Sequence, residues 1–425
     1  MKTVNKPEPE ERTLKYHSCY KGKIEIGLKA PVRSYDDFAI WYTPGVAEPS
    51  RRIWDSREQV YEYTNKGNFV AIVTDGTRVL GLGDVGAEAA LPVMEGKAML
   101  FKYLGGVDAF PICLATKDAE EIIKAVKWMA PSFGGVNLED IESPKCYYIL
   151  ERLQEELGMP VWHDDQQGTA LVILAGLINA LKVVGKSLSE IVISLVGAGA
   201  ANVSVAKYMH VAGAKWENMV MVDSRGILNV DREDVRGDKN KWEICEKTNK
   251  EGKRGGIKEA MRDTDVCIAL STPGPDVIKR EWVAGMADDA IVFACANPVP
   301  EIWPWEAGEG GAKIVATGRS DFKNQLNNSL GFPAVFRGVL DVRATCITEE
   351  MCMAAADAIA RYAEEKGISE SYIIPRMEES EMYVCEAVAV GMKAIEQGVA
   401  GRKMSVEELE EEVRKKIFSK TSKSF

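Results

Sequence analysis

The sequence predicts an α/β protein of two domains, the second built on a doubly wound parallel sheet, with a helical C-terminal tail. Three observations carry that expectation. At 425 residues the chain exceeds what one hydrophobic core ordinarily holds. From Leu188 onward short β-branched runs alternate with helical patterns, the rhythm of strand-helix-strand units. A Gly197-Ala198-Gly199 turn stands between a clear strand and a clear helix, where a parallel sheet presents its ligand-binding edge.

Composition narrows the partners. Lys and Arg number 53 against 64 Asp and Glu, a formal net charge of −11, so there is no electrostatic reason to expect a nucleic-acid backbone or an anionic membrane. Nine cysteines (Cys19, Cys113, Cys146, Cys245, Cys267, Cys295, Cys346, Cys352, Cys385) are scattered without CxxC pairs. Reduced thiols in a cytoplasmic protein are expected. Met1 to Arg12 has no apolar core of the kind a secretory signal needs. The longest charge-free apolar stretch, Gly168 to Leu181, falls short of the ~20 residues of a membrane helix.

Along the chain, Phe69 to Thr74 is a β-branched run, broken by Asp75-Gly76 and followed by Thr77 to Leu80, which reads as a hairpin. Helical spacing from Glu88 to Leu104 puts Lys97 on a helix behind it, so Arg78 and Lys97 can converge. A helix from about Ser143 to Leu157 is expected, with Ser143 as its cap and Pro144 at the first helical position. Pro160 to Asp165 reads as a buried strand ending in acids, leading to an apolar helix from Thr169 to Val184. Next come a strand at Ile191 to Val196, the glycine turn, a helix to Val211 and a strand at Met219 to Val222 ending in Asp223. Apolar runs at Val266 to Leu270, Ile291 to Ala296 and Lys313 to Ala316 continue the series. The expected division is an N-terminal domain at 1–160, a Rossmann-like domain at 161–395 and a helical tail at 396–425. Glu407 to Lys416 alternates charge as a surface helix does, with a dimer contact as the second reading.

Gly197 and Gly199 match the first two glycines of the dinucleotide fingerprint, and Ala200, Ala201 and Asn202 open the helix behind them. Asn202 stands where that pattern has a small residue. Asp223, at the end of the next strand, suits the ribose hydroxyls of NAD, whereas Ser224 and Arg225 offer a cradle for the 2′-phosphate of NADP. Either cofactor is compatible, with NAD slightly favoured.

Glu139-Asp140 and Asp164-Asp165 are acid pairs, and the second ends an apolar strand. Burying two carboxylates there is costly unless a cation or a lysine compensates them. Hard oxygen ligands suit Mg²⁺ or Mn²⁺, and the three histidines, His17, His163 and His210, offer little for zinc.

Tyr42-Thr-Pro-Gly-Val-Ala47, Thr74-Asp-Gly-Thr-Arg-Val-Leu-Gly-Leu-Gly-Asp-Val-Gly86, Asp164-Asp-Gln-Gln-Gly-Thr-Ala170, Ala316-Thr-Gly-Arg-Ser-Asp321 and Asn327-Asn-Ser-Leu-Gly-Phe-Pro333 together resemble malic enzyme of the short prokaryotic type. The likeness runs in order from about Lys15 to about Ala394. It implies oxidative decarboxylation of L-malate to pyruvate and CO₂ with reduction of NAD or NADP. It also implies that Tyr42 protonates enolpyruvate, that Lys97 takes the C2 hydroxyl proton and that Asp164 pairs with Lys97. Glu139, Asp140 and Asp165 correspond to metal ligands. Arg78, Asn297 and Asn328 correspond to substrate contacts, Asn297 also flanking the cofactor. Members of this family are usually dimers or larger, so a homo-oligomer is expected. The alternatives are an oxaloacetate decarboxylase, a redox-neutral malolactic enzyme and a non-enzymatic dinucleotide sensor.

Overall fold

The computed structural model describes residues 9–418; residues 1–8 of the N-terminal stretch read above and 419–425 of the tail lie outside the described residues. An arm comes first: helix α1 (Pro9–Tyr20), an extended stretch, and the short helices α2 (Phe38–Trp41) and α3 (Ala47–Asp55). Strands and helices then alternate as β1 (Phe69–Thr74), α4 (Ala87–Gly105), β2 (Asp108–Cys113), α5 (Ala119–Met129), β3 (Gly135–Leu138), α6 (Lys145–Glu156) and β4 (Val161–His163). The four strands form one parallel sheet in the order β2-β1-β3-β4. Val70 and Ile72 face the core shared with Met94, Ala98 and Phe101 of α4, while Ala71 and Val73 face Ile122 and Val126 of α5 and Ile149 of α6.

That two-sided burial corrects the expected hairpin. β1 lies between two parallel partners, and in the stretch after it the only bridge joins Val79 to Gly83. A run that is apolar at every position, as Phe69 to Val73 is, marks a strand covered on both faces; a hairpin open to water on one side would alternate. The helix expected from Ser143 starts at Lys145, with Pro144 in the cap position and the Cys146 N–H bonded to the Glu142 carbonyl.

Helix α7 (Thr169–Val184) crosses from the first sheet to the second and is packed by α8 (Ala200–Val211) and α10 (Glu349–Lys366). Together with the turn before it, Asp164–Val184 is the one helix among the described residues long and apolar enough to cross a membrane, longer than the sequence suggested. Of its most apolar 18-residue window 67% is buried inside the protein, as in a central core helix.

The second sheet comprises β5 (Ile193–Val196), β6 (Met219–Asp223), β7 (Gly226–Ile227), β8 (Val266–Ala269), β9 (Ile291–Ala294) and β10 (Ile314–Thr317), in the order β10-β9-β8-β5-β6-β7. All pairings are parallel except the short edge strand β7. Strand order reverses at β5, the point at which a doubly wound sheet opens a crevice at its carboxyl ends. Helices α9 (Phe332–Asp341), α10, α11 (Ser380–Glu396) and α12 (Val406–Phe418) complete the chain. Leu409, Val413 and Ile417 give α12 a buried stripe against the body, leaving its charges outward. All nine cysteines are free.

Glu386 on α11 is fully buried, and neither carboxyl oxygen has a hydrogen-bond partner. Burial pushes its pKa well above the usual carboxylate range. In the unfolded chain the same group ionises above about pH 4.3. The folded state therefore holds the extra proton, and stability is lost as pH rises past the unfolded value. Glu386→Gln is expected to raise Tm by about 2–4 °C at pH 8, on the scale of roughly 1 kcal/mol in a large domain, and to change little at pH 4. Thermal unfolding at the two pH values checks this; an equal shift at both would show that charge is not the cause.

Candidate active site

Parallel strands all end at the same edge, and the first sheet uses that edge to gather acids. Glu139 and Asp140 follow β3, Asp164 and Asp165 follow β4, and the Thr74-to-Arg78 turn follows β1. Lys97 projects from the buried face of α4 into this group. Its Nζ lies 2.6 Å from Glu139 Oε1 and forms a short ion pair with Asp164, with the Phe332 ring centroid 4.5 Å away. The Trp162 indole N–H donates to the other Asp164 oxygen at 3.0 Å, and the Asn137 amide donates to Glu139 at 2.9 Å. The Asp140 N–H donates to Asp165 at 2.9 Å.

Asp164–Gly168 is a wide π-helical turn, a form that recurs at functional sites. A Cβ on Gly168 would come within 1.9 Å of Asp164 Oδ1, so only glycine lets the turn close beneath that carboxylate. Asp140 takes a left-handed φ of 53°, which strains a non-glycine residue and aims its side chain at Asp165.

One oxygen from each of Glu139, Asp140 and Asp165 lies within 4.8 Å of the others. Burial pushes the Asp140 carboxyl up to about 8, helped by Asp165 and opposed by Lys97 and Arg78. Burial likewise holds Glu139 well above its usual range, with Asp165, Asp164 and Asp140 adding to it and Lys97 opposing. On Lys97 burial is the largest influence and lowers its pKa, but Asp164, Glu139 and Asp165 together outweigh it and leave the amine raised. His163 is buried with neither ring nitrogen hydrogen-bonded, and burial lowers its pKa. A lone ammonium faces four carboxylates, and Asp140 Oδ2 is buried without a partner. An all-oxygen trio of this kind fits a hard divalent cation.

Arg78 stands at the mouth. Its backbone N–H donates to the Asp140 carbonyl at 3.0 Å and its guanidinium to the Leu80 carbonyl at 3.1 Å. The turn before it is fixed by Asp75, which accepts from Thr77 and pairs with Lys145 at 2.6 Å. Asn297 and Asn328 line a cleft with Thr169, Leu270 and Asn327, at the carboxyl ends of the second sheet and beside the turn that carries Asp164 and Asp165.

Gly197 has φ 99°, and a Cβ there would meet the Leu270 carbonyl at 2.6 Å. Gly199 is the cap of α8, whose first turn holds Ala200, Ala201 and Asn202. The buried Asn202 amide donates to the Val196 and Gly197 carbonyls, both at 2.8 Å. Two hydrogen bonds thus replace the close helix-to-strand packing that a small residue gives. Asp223 is clamped by Arg232, at 3.1 and 2.9 Å, and accepts the Arg225 N–H at 2.9 Å. Ser224, Arg225, Arg232 and Arg254 line the pocket around it.

Two of these residues escape sequence reasoning. Arg232 has no motif to mark it. Glu301 sits five residues from a buried N–H in the Ala296-to-Glu301 loop; fully buried, it accepts from Ser271 N–H, Ser271 Oγ and Ala296 N–H at 2.7, 3.1 and 3.0 Å, tying together the loops after β8 and β9.

Tyr42 is the predicted residue that the fold of a single chain does not bring to Lys97. It lies between α2 and α3, 69% exposed, its N–H donating to Phe38 and its carbonyl accepting from Val46. Among the described residues, no hydrogen bond, ion pair or ring contact joins residues 35–56 to either sheet.

Residues 21–154 match the family model "Malic enzyme, N-terminal domain", and residues 166–395 match "Malic enzyme, NAD binding domain". The chain is 50% identical over 405 residues to the bifunctional malic/malolactic enzyme of Bacillus subtilis, covering 95% of this chain and 98% of that one. It is 41% identical to the NADP-dependent malic enzyme of Halomonas elongata, over 92% and 95% of the two chains. The crystal structure of malic enzyme from Pyrococcus horikoshii superimposes with a TM-score of 0.91 at 52% identity, covering 96% of each chain. Two matched domains in order, relatives alike over nearly their full length and a shared three-dimensional fold give one answer: the chain belongs to the malic enzyme family.

Proposed function

We propose that the protein converts L-malate to pyruvate and CO₂ while reducing a nicotinamide dinucleotide, with a divalent cation held by Glu139, Asp140 and Asp165. The observation that carries this reading is the buried Lys97, paired with Asp164 and Glu139 directly beside the three-carboxylate cluster. When bound, the cation supplies Lewis acidity at the C2 oxygen, and the nicotinamide supplies a hydride acceptor. Arg78 holds one malate carboxylate as a guanidinium fork does, and Asn297 and Asn328 orient the substrate through neutral amides. With Glu139 and Asp165 engaged as ligands, Lys97 keeps Asp164 as its partner, and burial works to lower its pKa toward that of a usable base. Lys97 takes the C2 hydroxyl proton as hydride leaves C2. The resulting β-keto acid loses its distal carboxylate as CO₂, and Tyr42 returns a proton to C3.

Gly197, Gly199, Ala200, Ala201 and Asn202 form the pyrophosphate turn, Asp223 takes the adenosine ribose, and the preferred cofactor is NAD. Its carboxylate is already fixed by Arg232, ready to accept from ribose hydroxyls. Asp223→Ala is expected to remove that acceptor and free Arg225, Arg232 and Arg254 for a 2′-phosphate. The NADP to NAD ratio of kcat/KM should rise about tenfold to a hundredfold, the scale of hydrogen bonds to charged groups. An unchanged ratio would place the ribose elsewhere.

The name of the Bacillus subtilis relative favours a second reading, release of lactate with no net cofactor reduction. Absorbance of the nicotinamide with L-malate and Mn²⁺, using NAD and NADP in parallel, together with pyruvate and lactate assays, separates the two. Reduced cofactor and pyruvate in equal amounts are expected. Lactate without reduced cofactor would favour the second reading, and no product would overturn both.

A further inference from the structure

We infer that the buried carboxylate of Glu301 is the counter-charge of the oxidised nicotinamide, set behind the wall of the cleft at the carboxyl ends of β8 and β9. It makes the protein hold the cationic ring more tightly than the neutral, reduced one. The inference rests on the reading above that the protein binds a nicotinamide dinucleotide, with the ring in that cleft.

Glu301 is fully buried, and among the described residues no lysine, arginine or histidine pairs with it. Its polar contacts are all with donors. Oε1 accepts from the Ser271 N–H at 2.7 Å and the Ser271 hydroxyl at 3.1 Å, and Oε2 accepts from the Ala296 N–H at 3.0 Å. A protonated carboxyl would need an acceptor for its own O–H, whereas here both oxygens are met by N–H groups, so the arrangement suits the anion. Burial raises the pKa of the group, and these hydrogen bonds work against that.

The same hydrogen bonds fix where the charge is felt. Ser271 follows Leu270, and Ala296 stands between Cys295 and Asn297; Leu270, Cys295 and Asn297 all line the cleft. The carboxylate therefore lies directly behind that wall. Cys295 registers it: burial raises the pKa of the thiol most, and the charge of Glu301 raises it further. No charged side chain lines the cleft itself, so nothing in the wall screens this charge. The pyrophosphate turn reaches the same loop, since a Cβ on Gly197 would meet the Leu270 carbonyl at 2.6 Å. An ionised group buried without a cation of its own is costly, and the oxidised ring supplies one. Hydride from malate C2 brings two electrons and a proton, cancels the positive charge of the ring and removes this attraction, which favours release of the reduced cofactor.

The test is calorimetric titration of the whole protein, without malate, with NAD and NADH and with NADP and NADPH. Glu301→Gln keeps the size of the side chain and one acceptor oxygen but removes the charge. Its affinity for the oxidised form is expected to fall about tenfold relative to that for the reduced form, the scale of one unit charge acting beyond contact distance inside a protein. Loosened loops alone would weaken both forms by the same factor, so an unchanged ratio would overturn the inference. Ser271→Ala loosens the same loop and keeps the charge, and its ratio should stay within about twofold of wild type. A shift as large as that of the glutamine variant would assign the effect to loop geometry and overturn the inference as well. Wild type that binds none of the four dinucleotides would bring down the cofactor reading, and the inference with it. If Glu301→Gln does not fold, wild type decides alone: the oxidised form is expected to bind at least as tightly as the reduced form, and tighter binding of the reduced form would overturn the counter-charge.

Discussion

Lys97→Ala is expected to lower kcat for malate oxidation by about 10²–10⁴-fold while leaving dinucleotide affinity unchanged. The size follows from what the side chain does in the proposed mechanism. No other amine reaches the Glu139, Asp164 and Asp165 group among the ion pairs of the described residues. Lys97→Arg sharpens the reading, because a guanidinium keeps the charge and can pair with Asp164 but does not deprotonate in a protein. If Lys97 were only a counter-ion, arginine would rescue the alanine variant; if it is the base, both stay inactive. Wild-type kcat should also fall toward acid pH as the amine is held protonated, and the residual activity of either variant should lack that limb. The measurements are kcat against pH and a calorimetric titration with NAD. A kcat near that of wild type in either variant would take the base away from Lys97.

Much of this site is legible in the sequence for a simple reason. Parallel strands end at one edge, so polar groups that follow apolar runs, as Asp75, Glu139 and Asp164 do, must meet there. The doubly wound second sheet is legible for the same reason, from its buried runs and the turn at Gly197. What escaped depends on facts that no local pattern holds. The Phe69-to-Leu80 stretch reads as a hairpin because Asp75-Gly76 looks like a two-residue turn, whereas burial on both faces is decided by α4, α5 and α6, which come later in the chain. Asn202 departs from the fingerprint, and only the backbone carbonyls of Val196 and Gly197 show why an amide works there. Arg232 reaches Asp223 by way of an irregular loop. Tyr42 is marked by its motif alone, and in the folded chain it is exposed and bonds only to Phe38 and Val46 of its own arm.

Asp341→Ala is expected to cost about 3–5 kcal/mol of stability, the scale of removing one partner from a buried ion pair. Arg337 on α9 is fully buried, its Nε donating to Asp341 at 3.0 Å and its Nη1 to Asn68 at 2.7 Å. Lys416 of α12 reaches the same carboxylate at 2.5 Å, and Arg402 donates to the Asp341 carbonyl at 2.8 Å. The carboxylate therefore joins α9 to the last helix, and Arg337, which it holds, reaches Asn68 at the start of the first sheet. Without it a guanidinium is left in the interior with only the Asn68 amide to accept from it. The pair is not itself a large source of stability, since its desolvation opposes its attraction. Replacing both members, as in Arg337→Met with Asp341→Leu, should therefore restore most of what the single change loses. Thermal unfolding of the two variants checks the contrast, and equal losses would mean that Arg337 contributes by its packing rather than its charge. Phe332 opens α9 and lies against the Lys97 amine, so loosening this helix should also reach the site. In the single variant kcat should begin to fall several degrees below the unfolding midpoint, and in the double variant the two should coincide again.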